Sequence, residues 1–477
     1  MSIRQGLGWR ALLLLGLLLG AAAPVLAQEA EIGRTELHRN GMRGVPYVPL
    51  PGAGEAAASG PLAVQLVRRI ELDGDPLTNV RSNLYPIDLA GDGQIGFVQF
   101  NGYRLMRVFD AAGRKLWEIR NPAGRVHRDT MHRDTAAVLD ADGDGQADIV
   151  HCWSDATGTR KRLVIRRGRD GAVLRSVLLD GAGHEECQIA AFKVAGRADP
   201  IILVSHDHPT TASCPTFANY VDAWARTVAF DLSLRRLWDR DTCFAGHYVY
   251  PVDADADGAA EAIFIGRHLY APDGTRLCTI PGWGTDHADA VAVADFRPDL
   301  PGLEAVAIGR TGTRAVQVEG CRTLWTIPTS RLPDPQNMAA ARLDPASTAP
   351  LIFISERGSL PNYQSKLVDG SGRVVATFAS GPAREAMPMQ NADLDGAGGS
   401  DELVASFGVV LDRLGQARLG TGWYWWLKGS RVREVPGDYP TSFDRWAPFP
   451  LLVDLDGDGR QEIVTWSQSL IVAGKVR

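Results

Sequence analysis

The sequence predicts an all-β protein, a single β-propeller whose most favoured form has eight four-stranded blades. A strand-like run that ends in an acidic, glycine-rich turn recurs along the chain. A hairpin pattern follows most copies, usually with a glycine turn, so each unit contains four short strands in about fifty residues. Helical periodicity sustained over about ten residues is not found. Together these three observations favour a propeller over any helical or mixed fold.

Eight copies of the repeat can be counted, two of them weak. Without the weak copies the intervals between neighbouring turns would be roughly twice the usual length. If one weak copy is only a loop, the blade number is seven. The copies begin at or near Asp88, Asp140, Ala191, Asp253, Asp295, Asp344, Asp393 and Asp454.

The two ends of the repeat array are predicted to meet in one blade. The last unit contains only about three strands before Arg477. The early run LAVQLVRRIEL, residues 62–72, has no acidic turn of its own. This run can supply the missing outer strand and close the ring, which would remove the exposed sheet edges.

The chain divides into three segments. Residues 1–27 have the pattern of a secretory signal peptide: Arg4 and Arg10 precede the apolar run ALLLLGLLLG, and V-L-A ends at Ala27. Residues 28–60 are an N-terminal extension, and residues 61–477 are the propeller, expected to be catalytic. The mature protein is therefore expected to be secreted or periplasmic, with no membrane attachment after signal cleavage.

Net charge limits the possible binding partners, and the cysteines raise the question of disulfides. The formal net charge of −6 argues against a general nucleic-acid or anionic-membrane binder, and we expect a monomer. Export permits disulfides, but the six cysteines allow fifteen pairings, which the sequence does not decide. Cys214 with Cys243 is the preferred pair, because each lies in a long connection between strand patterns.

Three of the acidic turns have a full set of candidate calcium ligands. In the pattern D-x-D-x-D-G-x-x-D/E, alternate side chains converge on one point, and hard oxygen ligands suit Ca²⁺ in a structural role. The alternative is an Asx-turn that is stabilised by its own backbone hydrogen bonds and binds no metal. The three sets are Asp140, Asp142, Asp144 and Asp148; Asp253, Asp255, Asp257 and Glu261; and Asp454, Asp456, Asp458 and Glu462.

A zinc site is a further possibility in the stretch SHDHPTTASCP. His206 and His208 would share one face of a strand, with Cys214 nearby. Solvent-exposed loop histidines are the competing interpretation.

Histidines recur at a similar position before the acidic turns. His132 and His287 each lie eight residues before the first Asp of their turn. His184 and His247 occupy comparable positions in the two intervening units, and Tyr248 follows His247. If the first strand of each blade is innermost, this row faces the axial funnel, away from the acidic turns, and can bind substrate. Exposure of these histidines at strand ends, without function, is the alternative.

Four residues are predicted to carry chemistry at this end: His132, His151, Tyr250 and Arg267. Arginine can neutralise a uronate carboxylate, which acidifies the neighbouring C5 proton. A histidine or tyrosine can then remove that proton, and another can protonate the departing O4 oxygen. The set is therefore suited to β-elimination of an anionic polysaccharide, the expected substrate.

The stretch HADAVAVADFRPDLPGLEAVAIG and the DLDGDG turns resemble those of rhamnogalacturonan lyases, which are secreted β-propeller polysaccharide lyases. The pairs His132/His151 and Tyr250/Arg267 resemble those of ulvan lyases. Resemblance to the ulvan enzymes implies His132 or Tyr250 as base and acid, with His151 and Arg267 neutralising the carboxylate. The expected function is therefore a lyase that cleaves an ulvan-like or rhamnogalacturonan-like polysaccharide.

Two other function classes stay open. A non-catalytic calcium propeller of the FG-GAP type, used for adhesion or scaffolding, would explain the acidic turns but not the phased histidines. A quinoprotein dehydrogenase is suggested by the strings RKLW, RRLW and RTLW, which end at Trp117, Trp238 and Trp325. The quinoprotein is disfavoured because the chain lacks the adjacent cysteine pair that those enzymes hold against their cofactor.

Overall fold

The structure of the protein is a computed structural model. It describes residues 64–73, 83–101, 105–121, 136–154, 160–182, 187–206, 226–243, 246, 249–255, 257–284, 287–341, 349–356, 364–379, 389–392, 402–405, 409–411, 425–428, 431–434, 451–458, 460–466 and 470–476. The predicted signal peptide and N-terminal extension lie outside these residues. No helix in these ranges is both long enough and apolar enough to cross a membrane.

The described chain is almost entirely β-structure, with one short 3-10 helix at Glu319–Cys321. The strands of its first half are β1 Val64–Glu71, β2 Asn83–Asp88, β3 Ile95–Asn101, β4 Leu105–Phe109, β5 Lys115–Arg120, β6 Ala136–Leu139, β7 Asp148–Ser154, β8 Arg160–Arg167, β9 Val173–Ala182, β10 Cys187–Phe192, β11 Ile201–His206, β12 Arg226–Phe230, β13 Arg236–Asp241, β14 Val249–Val252, β15 Ala262–Ile265, β16 His268–Tyr270 and β17 Arg276–Thr279. Those of its second half are β18 Ala290–Ala294, β19 Glu304–Gly309, β20 Gly312–Gln317, β21 Arg322–Ile327, β22 Pro335–Ala341, β23 Leu351–Glu356, β24 Gln364–Val368, β25 Val374–Ala379, β26 Met389–Ala392, β27 Glu402–Ala405, β28 Val409–Leu411, β29 Trp425–Lys428, β30 Arg431–Glu434, β31 Leu451–Val453, β32 Glu462–Trp466 and β33 Leu470–Val476.

These strands form successive antiparallel sheets, which we number as units 1 to 8. Units 1 to 6 are the four-stranded sheets β2–β5, β6–β9, β10–β13, β14–β17, β18–β21 and β22–β25. Unit 7 is the three-stranded sheet β26–β28, and unit 8 contains β31–β33 together with β1. The hairpin β29–β30 forms a separate two-stranded sheet. Repeated four-stranded sheets fit the predicted propeller-like architecture, while the blade number stays a prediction.

Strand β1 completes the last sheet, as the sequence predicted for the early run. It pairs antiparallel with β33, from Val64 opposite Val476 to Glu71 opposite Leu470. One sheet therefore joins strands from opposite ends of the described chain. Whether units 7 and 8 also pack together to close a ring stays a prediction.

The hydrophobic core lies between neighbouring sheets. One cluster packs Phe97 of unit 1 against Val464 of unit 8, and similar clusters lie at each boundary from unit 1 to unit 6. Both faces of an inner sheet are therefore covered. This explains the runs of consecutive buried residues in strands such as β10 and β19.

Each sheet has two distinct ends. In units 1, 2, 4 and 5 the turn between the first two strands is acidic, and the turn between the last two strands lies at the same end. We call this the acidic end, and the other the opposite end. Neighbouring acidic ends touch, since the Ala147 backbone N–H donates to the Asp88 carbonyl at 3.1 Å. Likewise Val194 of unit 3 forms a parallel bridge with Ala260 of unit 4.

Three tryptophans of outer strands connect one unit to the next. The indole N–H of Trp325 donates to the Gly370 carbonyl at 2.8 Å, and its ring lies against Gly372, where a Cβ would come within 2.7 Å of it. Trp117 and Trp238 make the same kind of bond to unit 2 and unit 4. These are the tryptophans of the RKLW, RRLW and RTLW strings, and here they pack between sheets.

We expect Trp325→Ala to lower the free energy of unfolding by roughly 3 kcal/mol, because it removes both the ring packing and the bond to Gly370. Trp325→Phe keeps most of the packing and loses only the N–H, so it should cost about 1 kcal/mol. Chemical denaturation of the three proteins measures both effects. Equal stability of wild type and Trp325→Ala would contradict this role.

Two disulfides also join neighbouring units. Cys152 of β7 bonds Cys187 of β10, and Cys278 of β17 bonds Cys321, just before β21. Cys243 is disulfide-bonded as well, and its predicted partner Cys214 lies outside the described residues. Both described bonds cross from one sheet to the next.

Candidate functional site

Each sequence-predicted calcium turn brings acidic oxygens close together. In the second turn Asp140, Asp142 and Asp148 offer carboxylate oxygens that all lie within 4.8 Å of one another. In the last turn the corresponding group is Asp454, Asp456 and Glu462. Their predicted partners Asp144 and Asp458 do not belong to these groups. Metal binding itself stays a prediction.

In the turn that begins at Asp253, all four predicted calcium ligands lie close together. Oxygens of Asp253, Asp255, Asp257 and Glu261 all lie within 4.8 Å of one another. Burial, together with the charges of Asp255 and Asp253, raises the pKa of Glu261 to about 7. A divalent cation would relieve this repulsion, so the donor chemistry fits Ca²⁺.

The backbone hydrogen bonds of an Asx-type turn are most numerous at Asp88. Its Oδ1 accepts from the backbone N–H groups of Ala90, Gly91 and Asp92, and its Oδ2 accepts from that of Gly93 at 2.9 Å. Four backbone donors saturate this carboxylate. The first unit thus shows what an acidic turn without a full ligand set looks like.

The expectation that His151 lies at an open rim is wrong. It is fully buried in the core between units 1 and 2, with its ring 4.9 Å from that of Trp153. The Nε–H of Arg166 donates to His151 Nε2 at 3.0 Å. Burial, reinforced by the Arg166 charge, holds the pKa of His151 well below its usual range. The imidazole is therefore neutral, with its proton on Nδ1.

Tyr250 is also buried rather than exposed at the funnel. Only 2% of it is exposed, and it belongs to the core between units 4 and 5. Its hydroxyl donates to the Val293 carbonyl at 3.3 Å, and burial raises its pKa above the ordinary value. A phenol in this position is a poor proton acceptor. The expected pairing of Tyr250 and Arg267 on one sugar is therefore not supported.

Arg267 does lie at the opposite end, in the turn between β15 and β16. Its side chain is half-buried, and Nη1 donates to the Gly284 carbonyl at 2.7 Å. Arg314 of unit 5 holds the same stretch, because its Nη2 donates to the Gly282 carbonyl at 2.8 Å. The two arginines thus fasten one connection between units 4 and 5. Arg314 is not among the residues predicted from the sequence, because no spacing pattern marks it.

This connection leads directly to His287. The His287 Nε2 lies 3.2 Å from Asp289 Oδ1, and both side chains are largely buried. The Asp289 backbone N–H donates to the Ile308 carbonyl, which fixes the start of β18. Trp283 anchors this connection, because its side chain is buried in the core and packs against Gly309. His287 therefore stands on a rigid support, and Asp289 orients its ring.

The remaining predicted residues can be placed only in part. His206 ends β11 and is buried, while its predicted zinc partners His208 and Cys214 lie outside the described residues. The zinc site stays a prediction. Also outside the described residues are His132, His184, His247 and Tyr248.

Comparisons with known proteins agree with this architecture. The chain is 28% identical over 255 residues to rhamnogalacturonan endolyase YesW of Bacillus subtilis, and 27% identical over 269 residues to rhamnogalacturonan exolyase YesX of the same organism. The chain is similar to rhamnogalacturonan lyases. These matches cover 46% and 48% of this chain but only 39% and 41% of the relatives. No protein-family model matches it.

Solved structures show the same fold. The crystal structure of rhamnogalacturonan lyase YesW superposes with a TM-score of 0.56 at 18% identity, over 87% of this chain and 76% of that one. The V. cholerae biofilm matrix protein Bap1 superposes equally well, with a TM-score of 0.56 at 13% identity over 87% and 91% of the two chains. A lyase and a matrix protein share this fold, so the fold alone does not decide between catalysis and scaffolding.

Proposed function

We propose that this protein is a secreted polysaccharide lyase that cleaves a uronate-containing polysaccharide, rhamnogalacturonan-like or ulvan-like, by β-elimination. The sequence similarity to two rhamnogalacturonan lyases is the observation that carries the proposal. The cations at the opposite end of units 4 and 5 suit an anionic polymer. Disulfides between sheets support a fold formed in an oxidising compartment, which favours secretion.

In the proposed β-elimination, the residues at the opposite end have separate roles. We assign Arg267 to the uronate carboxylate, because a guanidinium can bind a carboxylate through two of its N–H donors. Neutralising the uronate carboxylate acidifies the C5 proton. An imidazole from the histidine row removes that proton, and the electrons form the C4–C5 double bond while the C4–O4 bond breaks. A second, protonated imidazole of the row donates a proton to the departing O4 oxygen.

Among the row, His287 has the clearest support. Asp289 fixes its ring and stabilises the protonated imidazole that a proton transfer would create. His132, His184 and His247 are the other members of the row, and Tyr248 is a further substrate-binding candidate. His151 and Tyr250, 0% and 2% exposed, are buried more deeply than His287, which is 7% exposed, so we assign neither of them to direct contact with the polymer.

The decisive assay follows the ultraviolet absorbance of unsaturated uronate products over a panel of uronate polysaccharides. We expect His287→Ala and Arg267→Lys each to lower turnover by about 100-fold on a substrate that the wild type cleaves. Arg267→Lys keeps the charge but loses the planar fork. Arg310→Lys is the matched control, since Arg310 occupies the corresponding IGR position of unit 5, and its turnover should be normal.

Two outcomes would overturn the proposal. Normal turnover in both site variants would exclude the assigned residues. No cleavage of any uronate polymer by the wild type would exclude the lyase, and a calcium-binding adhesion or scaffolding protein would then be the better interpretation.

A further inference from the structure

Two glycines from different units lie against the main chain at His287. Gly309 ends β19 in unit 5, and a Cβ there would lie 2.7 Å from the His287 carbonyl oxygen and 2.4 Å from the Trp283 ring. Gly246 precedes β14, the first strand of unit 4, and its Cβ would lie 2.0 Å from the Ala288 carbonyl oxygen. Real Cβ atoms essentially never come within 3.0 Å of such neighbours, so neither position has room for a side chain.

The two glycines are required for different reasons. Gly309 belongs to a strand and its φ lies outside the left-handed region, so only the lack of space excludes a side chain there. Gly246 has a φ of 73°, in the left-handed region that glycine adopts without steric cost. Alanine at Gly246 would therefore meet both backbone strain and the neighbouring carbonyl.

The surroundings of His287 prevent the chain from avoiding these contacts. The backbone N–H of Asp289 donates to the Ile308 carbonyl at 2.8 Å, so the chain just before β18 is already bonded to β19. The Trp283 ring is 1% exposed, and the guanidinium carbon of Arg314 lies 5.0 Å from its centre. A residue larger than glycine would therefore displace the main chain that carries the imidazole.

We propose that Gly246 and Gly309 are positioning residues of the polysaccharide-cleaving site. This inference rests on the proposed function, in which His287 takes part in proton transfer. That transfer needs the imidazole within hydrogen-bond reach of the sugar, and a misplacement of about 1 Å can lower the rate by about 100-fold. The two glycines act through the main chain of His287 and Ala288, because they let units 4 and 5 approach closely enough to place the imidazole.

Steady-state kinetics on a uronate polymer that the wild type cleaves tests this role. We expect Gly309→Ala to lower kcat by about tenfold or more and to change KM by less than about twofold, because the added methyl displaces His287 but not the residues that bind the polymer. Gly96→Ala is the matched control. A Cβ at Gly96, in β3, would lie 2.4 Å from the Phe109 carbonyl oxygen, an equally close contact in unit 1. This control should lower the melting temperature by a similar amount and leave kcat normal.

Gly246→Ala is an independent second variant, which carries the test if Gly309→Ala folds poorly. We expect a similar loss of kcat. Its control is Gly196→Ala: Gly196 has nearly the same φ, 77°, but nothing lies within 4 Å of its added Cβ. The two variants thus share the backbone strain and differ in the contact. Normal kcat in both Gly309→Ala and Gly246→Ala would overturn the inference, while the lyase proposal would stand.

A measurement without substrate separates this inference from the proposed function. In protein with isotope-labelled histidine, the ring resonances of His287 can be assigned by their loss in His287→Ala. We expect them to shift in Gly309→Ala and in Gly246→Ala, and to stay unchanged in both control variants. If the wild type cleaves no uronate polymer, the lyase proposal fails, and unchanged His287 resonances in the two glycine variants would by themselves overturn the positioning role.

Discussion

Calcium chelation is expected to lower the melting temperature of this protein by several degrees. Each site occupied at about a hundred times its dissociation constant contributes about 2.7 kcal/mol to folding, so the three predicted turns together contribute roughly 8 kcal/mol. The effect is large because repulsion within each acid group returns when the ion leaves. Differential scanning calorimetry with and without chelator measures it.

Two variants separate the metal from other effects of the chelator. Asp253→Asn removes a ligand from the turn with four converging acids, and we expect a smaller decrease in melting temperature on chelation than in wild type. Asp88→Asn should respond to the chelator as wild type does. A melting temperature that does not change in chelator would favour metal-free Asx-turns throughout.

Acidification is expected to destabilise the fold through His151. Its folded-state pKa is far below the ordinary value near 6.5, so below that pH the unfolded state binds a proton that the folded state rejects. The contribution of His151 to stability is therefore complete above pH 6.5 and is lost as the pH falls, by up to about 1.4 kcal/mol per pH unit. His268, whose pKa burial lowers to about 4, acts in the same direction.

The contribution of His151 is measured as the difference in the free energy of unfolding between wild type and His151→Gln across this pH range. Glutamine does not titrate, and its carbonyl can accept the Arg166 donor, so the slope below pH 6.5 should decrease. His151→Ala is expected to cost about 3–5 kcal/mol at any pH, because it leaves a cavity and a guanidinium without its acceptor. Wild-type stability of His151→Ala would contradict the buried placement.

The repeat pattern predicted the sheets well because each turn and the two strands beside it are neighbours in the sequence. The acidic turns at Asp140, Asp253 and Asp454 are each flanked by strand-like runs in the sequence, and each lies between two paired strands. The early run at residues 62–72 is predicted to pair with the last unit, because the outer edge of that unit would otherwise be unpaired. The pairing of β1 with β33 confirms this prediction.

Site residues were harder to place because strand position does not determine exposure here. His151 and Tyr250 were assigned to a rim from their distance to the acidic turns. In stacked sheets, however, both faces of an inner strand pack against neighbours, so a residue can lie near a strand end and still be buried. His287 lies just before β18, and its contact with Asp289 is local in sequence. The arginine contacts beside it depend on tertiary packing, which the spacing does not encode.

The position of β1 also has a consequence for the order of events during biosynthesis. Its hydrogen-bonding partner β33 lies about four hundred residues later in the chain, so β1 stays without that partner until synthesis has passed Val476. Units 1 to 6 can meanwhile pack in sequence, each on the one before. The last sheet to complete is therefore the one that contains the first strand, and a nascent chain carries an unpaired strand until then.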